Sequence, residues 1–100
     1  MNSWDKTLSA CDEIEELLRT ATAGANEQRL QRIRFLTAAL GGTSPYITDK
    51  ANALASRAAI YFSARKHATY TGGAEALMRE MRYSLLGRIR EEAQQLAKNE

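Results

Sequence analysis

One hundred residues, 44% hydrophobic and 26% charged, allow one folded domain spanning 1–100 and exclude a disordered chain or a second domain. The single cysteine, Cys11, and the single histidine, His67, are too few for an intrachain disulfide or a four-ligand zinc site, and no apolar run approaches the ~20 residues that cross a bilayer. The net charge of +2 is divided along the chain: residues 1–28 hold six carboxylates against two cations, 29–90 eleven arginines and lysines against three carboxylates, and 91–100 three carboxylates against one cation.

The chain opens without the basic start and apolar stretch of a signal peptide, and with one unpaired cysteine it is expected in the reducing cytoplasm, away from membranes. Trp4, Leu8, Cys11, Ile14, Leu18 and Ala21 recur at steps of three and four, with Asp5, Asp12 and Glu16 on another side, so the spacing predicts an amphipathic helix over 3–22. Cys11 on that apolar stripe reads as an inert buried thiol.

The stretch "TAGAN" breaks the pattern, and Asn26 is a good N-cap. A second helix is expected over 27–40 with Leu30, Ile33, Leu36 and Leu40 inward and Phe35 pointing away. "GGTSP" follows, where Gly41 can take the left-handed conformation that ends a helix, Ser44 can cap the next one and Pro45 sits at its first position.

The third and longest helix is expected over 45–70, with Ile47, Ala51, Leu54, Ala58, Tyr61 and Phe62 on its core face. At about 100° per residue, Ala53, Ile60 and Ala64 fall on a second apolar face. A helix apolar on two sides is either central in its own fold or covered by another subunit. Phe35, Ala53, Ile60 and Ala64 are therefore the candidate contacts of a homo-oligomer. Arg57, Arg65, Lys66 and His67 scatter around the helix instead of lining a phosphate-binding face. "RKH" suits the negative end of a helix dipole better. Arg65 would fall on the apolar face unless the bundle ends a turn earlier.

After "TGG", a fourth helix is expected over 74–97, its stripe formed by Met78, Met81, Leu85, Ile89 and Leu96 beside Leu77 and Ala93. Arg79, Tyr83 and Arg90 project together, with Arg82 and Leu86 at the border with the core. Arginine and tyrosine around an apolar residue have the composition of a protein–protein contact; the local pairs Glu75–Arg79 and Arg88–Glu92 would instead make this an ordinary solvated face. Four amphipathic helices with short connections and no strand pattern give an all-α antiparallel bundle.

No phosphate loop, HExxH, calcium loop or nucleophile elbow is present, and Glu-x-x-His pairs for a di-iron site are missing. The expectation is a non-enzymatic module without catalytic residues, metal or cofactor. It would bind another protein, itself included, as an adaptor, inhibitor or chaperone-like accessory protein of the sort common in bacteria and phages. The alternative is a nucleic-acid binder using the basic segment 29–90. Whether that segment meets a polyanion or the chain's own acidic helix faces is a question for the three-dimensional arrangement.

Overall fold

The computed structural model describes residues 3–100. The helices are α1 (Asp5–Arg19), α2 (Glu27–Leu40), α3 (Pro45–Tyr61), a single turn α4 (Lys66–Thr69), and a long last helix built of α5 (Gly73–Arg79), a π segment (Glu80–Leu86) and α6 (Gly87–Lys98). The molecule is an all-α bundle with four long rods and no strand among the described residues. α1 packs on α2 and on the last helix, and α3 packs on the same two, so α1 and α3 occupy opposite corners. The ends of α1 and α6 meet where Ser3 N–H donates to Glu100 Oε1 at 2.9 Å, which makes those helices antiparallel.

The caps follow from the loop residues. Asn26 Oδ1 accepts from Arg29 N–H at the start of α2, and Ser44 Oγ accepts from Ile47 N–H at the start of α3, with Pro45 in the first turn. Gly41 is extended at φ −65°, and the left-handed position of this turn is taken by Gly42 at φ +84°, one residue later than the sequence suggests.

α3 stops nine residues before the expected Tyr70. Two partners account for it. The carbonyls of Tyr61 and Phe62 accept the N–H groups of Gly24 and Asn26 from the α1–α2 loop, and Ser63 Oγ donates to Ile60 C=O while accepting Lys66 N–H. The terminal carbonyls of α3 are thus met by a distant loop, and Ser63 both closes α3 and opens α4. Arg65 accordingly lies exposed past the end of the rod, while Tyr61 and Phe62 are buried with their rings edge to face at 5.0 Å. Lys66 and His67 belong to α4 and not to the last turn of α3. α1 also ends early, at Arg19, where the threonine-rich "TATAG" begins.

The π segment has a cause in the core pattern. Leu77, Met81, Leu85, Ile89 and Ala93 are all buried and each is four residues from the next. In an α-helix a four-residue step overshoots a turn by about 40°, so five such positions would wind about 160° around the rod and carry the last ones out of the core. Bonding from residue i to i+5 widens the turn and takes up that drift. Gly87 N–H closes it on Arg82 C=O. The core is completed by Cys11, Ile14 and Leu18 of α1, Ile33 and Leu40 of α2 and Ile47 and Leu54 of α3.

Candidate functional site

The acidic outer flank of α1 is pinned on both sides by arginines of neighbouring helices. Glu13 receives Arg32 Nε at 2.5 Å and Arg32 Nη2 at 2.9 Å from α2. Glu15 receives Arg82 Nη2 at 2.5 Å from the π segment, and Asp12 receives Arg90 Nη1 at 2.5 Å from α6. The Arg32 guanidinium holds the Glu13 carboxyl below the usual glutamate range. At these pairs, acidic residues of α1 lie against basic residues of α2 and of the last helix.

Two of the arginines do a second thing. Arg32 stands over the Phe35 ring at 5.1 Å and Arg82 over the Tyr83 ring at 5.3 Å. Phe35 and Tyr83 are each 62% exposed, the most open large hydrophobic side chains among the described residues. Each ring is therefore presented to solvent under a guanidinium whose other edge is tied to α1. Such a pair has little rotamer freedom left to lose on contact with a partner. Tyr46, 44% exposed beneath Lys50 at 5.4 Å, is a third cation-covered ring, on α3.

The residues expected on the last helix are only partly brought together. Tyr83 and Arg79 are exposed and Arg82 lies beside them, half-buried. Leu86 is 1% exposed and belongs to the core, because the wider π turn swings it inward next to Leu85. Arg90 is committed to the seam with α1 through Asp12. Neither expected local pair forms: Arg88 pairs with Glu91, and Arg79 makes no ion pair among the described residues.

Of the expected oligomer contacts, Phe35 is open, whereas Ala53 and Ile60 are half-buried and pack against the core. Ala64 is exposed but sits past the end of α3 and does not continue a face with them. Part of the second apolar face of α3 is thus taken up by the chain's own core, and α3 packs against α2, α4 and the last helix.

Sequence reasoning missed a further cluster. Glu80 accepts Arg57 Nε at 2.9 Å and the Tyr70 hydroxyl at 2.7 Å, tying the α4 turn to α3 and the π segment. The Tyr70 hydrogen bond, with Arg57 behind it, holds Glu80 below the usual carboxylate range, and the same bond raises Tyr70. No signal at positions 57, 70 and 80 reveals this, since it depends on α3 ending where it does. Sequence reasoning also missed Tyr46 with Lys50, whose four-residue spacing in the first turns of α3 was the signal that could have found this cation–ring pair.

Among the described residues no three His, Cys, Asp or Glu side chains are placed to hold a metal ion, and no helix is long and apolar enough to cross a membrane. An open hollow of about 460 Å³ lies at the α2–α3 turn between Gly42 and Asn52. Burial pushes the Cys11 thiol up to about 11, far from the range of a nucleophilic thiolate. No family model matches the chain, and no curated protein or solved structure matches it significantly.

Proposed function

We propose that this chain is a non-enzymatic protein-binding module that contacts its partner through arginine-braced aromatic rings, with Tyr83 as the anchor and Arg82 and Arg79 around it. The observation that carries the reading is the Tyr83 ring, 62% exposed beneath an Arg82 guanidinium that Glu15 holds at 2.5 Å. Tyrosine and arginine dominate protein interfaces because they combine large contact area with directed hydrogen bonds. Phe35 under Arg32 is a second contact of the same construction and an exposed candidate for self-association. The buried, unpaired Cys11 fits a reducing, cytoplasmic setting.

The ion pairs weigh against a polyanion partner. Arg32, Arg57, Arg82, Arg88 and Arg90 from the basic segment each hold a carboxylate of the chain itself. A phosphate backbone meeting these five would have to displace their acids, and Asp12, Glu13 and Glu16 would repel it there; Arg29, Arg34, Lys50, Arg65, Lys66 and Arg79 pair with no carboxylate among the described residues. Affinity capture from the native cell tests the reading. A stoichiometric protein is expected with the unaltered chain and at least about tenfold less with Tyr83→Ala at equal fold stability. Undiminished capture by Tyr83→Ala, or retention on immobilised DNA that moderate salt abolishes, would contradict it.

A further inference from the structure

Between the end of α1 and the start of α2 lies a cleft of about 270 Å³ lined by Leu17, Asn26, Gln28, Arg29 and Arg32. Arg29 Nη1 donates to Leu17 C=O at 2.6 Å and to Thr20 Oγ1 at 2.9 Å, both neutral acceptors, and no carboxylate of the described residues pairs with it. A guanidinium carries five N–H donors, so most of its capacity is left over. Arg32 spends Nε and Nη2 on Glu13 and keeps Nη1. Asn26 uses its oxygen on Arg29 N–H, which leaves its amide donors.

The cleft is therefore rich in donors, poor in acceptors and carries one cation without an ion-pair partner, in the first turn of α2 where Glu27 also stands. Leu17 supplies an apolar wall, and Phe35 stands open beside Arg32. Its size suits one side chain, below the usual range for a small-molecule site.

Resting on the protein-binding reading above, we propose that this cleft seats a carboxylate from an acidic segment of the protein partner, with an apolar neighbour of that residue lying on Phe35. One spare cation with a ring beside it matches a single carboxylate on an apolar strand or helix. A run of phosphates needs several free cations along its path, and the cleft offers one, since Arg32 is already paired with Glu13.

The test is a ¹⁵N NMR titration of the whole chain with the peptide acetyl-Leu-Glu-Phe-Glu-Leu-amide, with the same peptide carrying Gln for Glu, and with inorganic phosphate. The glutamate peptide is expected to shift Leu17, Asn26, Gln28 and the Arg29 side-chain Nε–H, and the glutamine peptide to bind at least about tenfold more weakly. Arg29→Gln is expected to weaken binding by a similar factor. Because Arg29 also caps α1, Gln28→Glu serves as a second variant: it places a competing carboxylate at the rim, leaves the cap intact and is expected to lower affinity about tenfold. Equal binding of both peptides, no shift at the cleft at millimolar peptide, or phosphate acting at lower concentration than the glutamate peptide would overturn the proposal. Shifts gathered at Tyr83 instead would overturn the cleft and leave the protein-binding reading standing.

Discussion

Glu80 is the residue through which the α4 turn is held, and its chemistry sets a pH dependence. Hydrogen bonds from Tyr70 and Arg57 stabilise its ionised form and lower its pKa in the folded state. A lowered folded pKa adds stability above the ordinary glutamate range, and that stability is lost as pH falls through the folded value. Thermal unfolding followed from pH 6 down to about pH 3 is therefore expected to show a flatter acid limb in Glu80→Gln than in the unaltered chain. Identical limbs would mean that the cluster contributes nothing. Cys11 gives a second test: with its thiol pushed up to about 11 inside the core, it is expected to resist a disulfide reagent at pH 8 until the chain is unfolded. Rapid reaction of the native protein would contradict its burial. The two residues differ in legibility. Cys11 was readable because its position between Leu8 and Ile14 fixes its face locally, whereas the partners of Glu80 meet it only through tertiary structure.

At the scale of elements, the four rods were readable because each carries an apolar stripe of helical period, and the two capped starts at Asn26 and Ser44 followed from side-chain chemistry. The end of α3 was not readable, because loop 22–26 terminates it from across the molecule. Sequence reasoning expected one continuous helix over 74–97 and missed the π segment, although Leu77, Met81, Leu85, Ile89 and Ala93 are spaced strictly by four, a period no straight α-helix keeps on one face. Its closure can be probed with glycines. Gly87 has helical dihedrals, and an added Cβ would sit 3.4 Å from Arg82 C=O, an ordinary contact. Gly87→Ala is expected to stabilise the chain by about 0.5–1 kcal/mol in urea unfolding, since it removes unfolded-state freedom. Gly72 has φ +85°, and its Cβ would lie 2.6 Å from that of Ala76, so Gly72→Ala is expected to destabilise by more than about 1 kcal/mol. The reverse order of the two variants would show that the bends were assigned wrongly.

Across the whole molecule, an acidic α1 is laid between α2 and the last helix, and three of its carboxylates meet arginines of those helices at the seams. What faces solvent with distinct character is the pair of rings at Phe35 and Tyr83, held under two of those arginines. Replacing either ring by alanine is expected to change stability by less than about 0.5 kcal/mol, because neither belongs to the core, while partner binding falls. Helical spacing groups Arg79, Tyr83 and Arg90 with Arg82 and Leu86 at the border; the exposure of Tyr83 and Arg79 agrees with it, while the pairing of Arg90 with Asp12 and the loss of Leu86 to the core depend on tertiary structure and the π turn. The account is tested most directly by placing a photo-crosslinking phenylalanine analogue at position 83 and irradiating the cell that makes the protein. A discrete adduct that protease removes and nuclease leaves intact is the expected result; no adduct at 83, or one that nuclease dissolves, would contradict it.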